Sequence, residues 1–123
     1  MVNVFSMTQS VADLLATAQM HSEGRSSVSL HEGEACVLRQ TVTALQAGKS
    51  MEIEHPPLEG WILVLQGELN LRITGYLDEG VELVAGSLMQ LPHWPMTLTA
   101  SVDSGILLSV AMGDRPVKTA VVD

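Results

Sequence analysis

At 123 residues, 46% of them hydrophobic and 16% charged, the chain is long enough to bury one core and too apolar to be a disordered segment. Fourteen acidic residues against six basic ones give a formal charge of −8. The six cations (Arg25, Arg39, Lys49, Arg72, Arg115 and Lys118) are scattered, so charge argues against a nucleic-acid or anionic-membrane surface. A single cysteine, Cys36, excludes an internal disulfide and reads as a small buried hydrophobe.

Residues 1–19 lack the basic start and continuous apolar block of a signal peptide, and no stretch approaches the roughly 18 apolar residues of a membrane span, so the expected location is cytoplasmic. Ser6 followed three residues later by Gln9 predicts a capping box and a helix start. Val11, Leu14, Leu15 and Ala18 then recur at helical spacing, giving one modest apolar face that ends near His21 and Gly24.

From Ser26 the pattern changes to short β-prone runs broken by Gly, Pro and acidic turns. Strands are predicted over 28–31, 35–45, 51–55, 61–66, 68–73, 81–84, 87–91, 96–101 and 106–112. Turns are predicted at Glu32-Gly33, Ala47-Gly48-Lys49, Pro56-Pro57, Gln66-Gly67, Asp78-Glu79-Gly80, Ala85-Gly86 and Asp103-Ser104-Gly105. In the longest run, Cys36, Leu38, Gln40, Val42 and Ala44 share one face, and Val37, Arg39, Thr41, Thr43 and Leu45 the other. The runs 61–65 and 106–111 are apolar on both faces, so each strand needs cover on its outer side. The helix can supply part of that cover and a second subunit the rest, which predicts a homodimer. The organisation expected is a helix and lead-in over 1–25, a β barrel over 26–112 and an extended tail over 113–123.

Leu45-Gln46-Ala47-Gly48, then Pro56-Pro57, then Val64-Leu65-Gln66-Gly67-Glu68 resembles the first motif of small cupins, with no gap between Gly48 and Gly67. The run from Ala85-Gly86-Ser87 to Leu91-Pro92 resembles the start of their second motif. Asp103-Ser104 followed by Ile106-Leu107-Leu108-Ser109-Val110 is similar to the closing strand of short, uncharacterised bacterial cupins. The resemblance implies an all-β fold, a double-stranded β-helix or jelly-roll barrel of the RmlC-like type, here with one short N-terminal helix. It also implies a divalent metal held by two His one residue apart, a Glu and a third His. The positions matching those ligands are Glu54, Pro56, Gly60 and Met96 or Thr97. Pro, Gly and Met cannot supply the three or four nitrogen and oxygen donors such a site requires. No metal and no other cofactor is therefore expected.

Other residues could carry chemistry. His93-Trp94-Pro95-Met96 offers an imidazole, an indole and a thioether at a barrel mouth, suited to a small, partly apolar ligand or else simply facing solvent. Met51, Met89 and Met96 could be soft ligands for Cu(I), but methionines in strands ordinarily fill core gaps. Glu52, Glu54 and Glu59 could furnish an acid and a base, or could be solvated charges that protect a sheet edge. No nucleophile elbow, phosphate-cradling loop or zinc cysteine pair is present.

The leading expectation is a cupin without the metal tetrad that binds a small organic ligand through Glu54, His55, His93, Trp94 and Met96, or that serves as a sensing or assembly module. The rival is a metal-dependent enzyme, a dioxygenase or isomerase, with ligands redrawn from Glu54, His55 and His93, a rearrangement that one residue of strand slip would permit. A purely structural dimer is a third possibility. The sequence assigns no catalytic residue.

Overall fold

Ser6 sits in extended backbone and its Oγ accepts from Gln9 N at 3.2 Å, which opens helix α1 (Met7–Ala18). Only half of the expected capping box forms. The Gln9 side chain donates to Asp13 Oδ1 at 2.8 Å, one turn ahead, and does not reach back to Ser6. Val11 and Ala18 are the buried residues of the helix, with Leu14 and Leu15 half-buried beside them. Gly24, at φ +67°, turns the chain into the first strand.

The computed structural model describes residues 2–30, 37–57, 59–75 and 80–111. Cys36, the turn at Glu32-Gly33, most of the turn at Asp78-Glu79-Gly80 and the tail over 113–123 lie outside them. Among the described residues α1 is followed by nine strands: β1 (Arg25–Ser29), β2 (Leu38–Leu45), β3 (Ser50–Ile53), β4 (Gly60–Gln66), β5 (Glu68–Ile73), β6 (Val81–Val84), β7 (Leu88–Gln90), β8 (Met96–Ala100) and β9 (Ser104–Ala111). They form two antiparallel sheets, ordered β1-β2-β9-β4-β7 and β3-β8-β5-β6. No helix of the described residues is long and apolar enough to cross a membrane.

Period-two alternation sorts side chains between the interior and the two outer faces. The inner faces contribute one core, built from Leu45, Ile62, Val64, Leu69, Leu71, Leu83, Leu91, Met96, Leu98, Ala100 and Ile106. The outer face of the four-stranded sheet is polar apart from the exposed Val84 opposite Glu68. Ser50 and Thr99 pair through their hydroxyls at 2.9 Å, and Asn70 Nδ2 donates to Glu82 Oε2 at 3.4 Å. The five-stranded sheet instead is apolar on both faces, as runs 61–65 and 106–111 predict, and α1 packs across part of its outer side.

Several strand ends differ from the sequence expectation: β3, for one, stops at Ile53 and not at His55, and two further differences have a clear physical reason. The first strand starts at Arg25, three residues earlier than expected, because it pairs along β2 from Arg25 opposite Leu45 to Ser29 opposite Thr41. Ser104 and Gly105, expected in a turn, already belong to β9. Ser104 is fully buried, and its Oγ accepts from Glu68 N at 3.1 Å and donates to Val102 O at 2.7 Å or Glu68 O at 3.1 Å. Gly105 belongs in the strand because a Cβ there would lie 2.6 Å from both methyl carbons of Val11. The glycine is thus the slot into which the helix docks.

Candidate functional site at the barrel rim

The rim is built where β3 ends, β8 begins and β5 ends. Register sets Ile53 opposite Met96 and Met96 opposite Ile73, three apolar side chains abreast on the inner face. Thr74 N donates to Pro95 O at 2.9 Å, tying the end of β5 to the residue that enters β8. Over this frame lies a groove of about 470 Å³ lined by Glu52, Ile53, Glu54, His55, Thr74, Pro95, Met96 and Thr97. Its floor is Ile53 and the buried Met96. Its wall carries the exposed carboxylates of Glu52 and Glu54 and the exposed imidazole of His55.

Of the residues singled out in the sequence, Glu52, Glu54, His55, Met96 and Thr97 therefore meet at one groove. His93 and Trp94 are exposed in the loop that precedes Pro95 and are not among its lining side chains. Met51 and Met89 are half-buried and pack against the core. Ile53 and Thr74 join the lining without having been legible as site residues. Only the pairing of β3 with β8 and of β8 with β5 brings them together.

A second groove, of about 460 Å³, lies on the other side of β3 and shares Glu52 and Glu54 with the first. Two cations that look scattered in the sequence, Arg25 and Lys49, line it together. Arg25 Nε lies 3.5 Å from Glu23 Oε1, and Arg25 Nη1 donates to Ser50 O at 3.3 Å. The Lys49 stem lies flat over Gly24, where a Cβ would come within 2.6 Å of Lys49 Cγ. Both grooves open to solvent, so their charges act through a high dielectric.

The positions that match the metal ligands of cupins are placed as follows. Glu54 is exposed beyond the end of β3, and Pro56 is half-buried in the following loop. Gly60 is buried, and a Cβ added there would meet Leu91 Cδ1 at 2.7 Å and Pro57 Cγ at 3.2 Å. Met96 is buried in the core, whereas Thr97 lies on the outer face between Glu52 and Arg72. Among the described residues no group of three or more His, Cys, Asp or Glu side chains is placed to hold a metal ion.

No family model matches the sequence, and no curated protein does. Solved structures do match in three dimensions. A conserved protein of unknown function from Streptococcus pyogenes superposes with a TM-score of 0.67 at 21% identity, covering 96% of this chain and 91% of that one. An RmlC-like cupin protein from Desulfovibrio desulfuricans gives 0.60 at 22% identity, covering 72% and 82%. A salicylate 1,2-dioxygenase from Pseudoaminobacter salicylatoxidans gives 0.67 at 16% identity, covering 82% of this chain but 33% of the enzyme. Two antiparallel sheets closed around one core, the glycine-marked turns at Gly48 and Gly67 and these superpositions agree on the architecture: the chain has the jelly-roll fold of small RmlC-like cupin proteins.

Proposed function

We propose that this cupin domain is a metal-independent binding module that holds a small organic molecule in the rim groove between β3 and β8. The observation that carries the reading is the groove itself: an apolar floor of Ile53 and Met96 beside a wall of Glu52, Glu54 and His55, in a volume of about 470 Å³. That combination suits a ligand with an apolar body and a cationic or hydrogen-bond-donating head, which two carboxylates on an acidic chain would favour over an anion.

The donor set argues against a resident divalent cation. Of the four matching positions only Glu54 offers a hard oxygen, and it is exposed. Where the family's glutamate would project from position 60, Leu91 already occupies the space. The dioxygenase activity named for one structural neighbour belongs to a protein of which the match covers only 33%, related by fold at 16% identity, and fold alone does not carry activity across.

The test is nuclear magnetic resonance titration of the full chain with phenethylamine, and with cyclohexanecarboxylate as the anionic counterpart. The reading expects amide shifts confined to Ile53, His55, Thr74 and Thr97 with the amine, and weakened binding in Glu54→Gln and His55→Ala. No shifts with either probe, or shifts elsewhere on the surface, would sink it.

A further inference from the structure

The groove of about 460 Å³ on the far side of β3 joins unlike charges, Arg25 and Lys49 with Glu52 and Glu54. The strand sets their order. Lys49 immediately precedes β3, and Arg25 Nη1 reaches Ser50 O at 3.3 Å, so both cations sit at the strand's start. A rise of about 3.4 Å per residue carries Glu52 about 7 Å beyond Ser50 and Glu54 about 14 Å. The cations are held in place. Arg25 is paired in β1 opposite Leu45, and the Lys49 stem lies against Gly24. Lys49 N donates to Gln46 O at 3.0 Å, and Lys49 O accepts from Ala100 N at 2.9 Å.

The backbone of β3 adds a second observation. The strand closes the four-stranded sheet, and among the described residues its one strand partner is β8. Lys49 turns its carbonyl towards β8, where Ala100 N donates to it, and Ser50 turns its carbonyl away, where Arg25 takes it. Alternation along an antiparallel strand then directs the N–H and C=O of Glu52 outward as well, on the side of the groove that Glu52 lines. Paired charges and an open strand edge therefore lie along the same few residues.

We propose that a short peptide of about two to four residues lies antiparallel along this edge, its carboxylate at Arg25 and Lys49 and its ammonium at Glu52 and Glu54. Charge selects the occupant. A simple anion would meet Glu52 and Glu54 on a chain of net charge −8, and a simple cation would meet Arg25 and Lys49. Length selects among zwitterions. The two poles stand about 7 to 14 Å apart, whereas the charged ends of a free α-amino acid are only about 3 Å apart. An extended peptide gains about 3.4 Å per residue and spans the gap. Direction follows from the poles: a carboxylate at the strand's start and an ammonium at its end run opposite to β3, the pairing in which Glu52 can exchange both backbone bonds with one peptide residue. The rim groove shares Glu52 and Glu54 but neither cation, so a peptide bound here stands or falls independently of a small molecule bound there.

Nuclear magnetic resonance titration of the full chain with trialanine, up to about 20 mM, tests this, since exposed charge pairs contribute little each and the expected affinity is millimolar. Amide shifts should centre on Arg25, Lys49, Ser50 and Glu52. Hydrogen exchange at the Glu52 amide should slow about threefold or more as its N–H gains a partner. N-acetyl-trialanine and trialanine amide should each bind about threefold more weakly or worse, as should free trialanine to Lys49→Gln. Glu59→Gln, at an exposed carboxylate outside the groove, should leave binding unchanged. Retained shift dispersion shows that each variant is folded. No shifts, equal binding of the blocked peptides, indifference to Lys49→Gln, or alanine bound as tightly as trialanine would each overturn the proposal. So would an unslowed Glu52 amide, or shifts led by Thr74 of the rim groove.

Discussion

The docking of α1 onto Gly105 can be broken and restored by design. A Cβ at position 105 would sit 2.6 Å from Val11 Cγ1 and Cγ2 and 3.1 Å from Val11 Cβ. Valine has no flexible end to swing aside, so Gly105→Ala must push the helix off the sheet, a misfit that costs about 1–3 kcal/mol. Replacing a strand glycine by alanine returns about 0.5–1 kcal/mol of backbone entropy, which leaves a net loss of about 0.5–2 kcal/mol. Val11→Ala alone removes two buried methyl groups, at about 0.8 kcal/mol each plus a cavity contribution, for about 1.5–2.5 kcal/mol. With both changes present the methyl clash is gone and only the 3.1 Å approach of the two Cβ atoms remains, which a shift of a few tenths of an ångström relieves. In the Val11→Ala background, Gly105→Ala should therefore be neutral or stabilising, giving a coupling of about 1–3 kcal/mol in a double-mutant cycle. Equilibrium unfolding in urea, followed by far-ultraviolet circular dichroism at constant m-value, measures it. Additivity of the two substitutions within about 0.5 kcal/mol would refute the docking geometry.

Ser104→Ala leaves Glu68 N and Val102 O without their partner in a fully buried position, and should cost about 1–3 kcal/mol in the same assay. Gly60→Ala places a methyl against Leu91 Cδ1 and should destabilise, an effect that Leu91→Ala in the same chain should reduce; two independent losses that simply add would contradict the contact. If the binding module is metal-independent, the melting temperature should not move on adding EDTA or excess Zn²⁺ or Mn²⁺, whereas a cation-holding site would be stabilised by mass action. A rise with one metal that disappears in His55→Ala would restore the rival enzyme reading.

Local chemistry made the architecture legible before any coordinates. The Ser6 cap, the helical spacing of Val11, Leu14, Leu15 and Ala18, and alternation bounded by Gly48, Gly67 and Gly86 are short-range signals. Each acts through a few neighbouring residues, which is why the sequence alone determined one helix followed by β-strands. The doubly apolar runs in β4 and β9 likewise announced that the outer face of their sheet would need cover. Tertiary structure decided what no local pattern encodes. Ser104 and Gly105 read as a turn by residue type, yet they entered β9 because a distant backbone amide and a helix methyl pair required a hydroxyl and an empty slot there. The rim groove was half legible: Glu54, His55 and Met96 stood out in the sequence, but Ile53 and Thr74 joined them only through pairings between strands more than twenty residues apart. Alternation assigns a residue to a face, and only the register of one strand against another assigns its neighbours on that face.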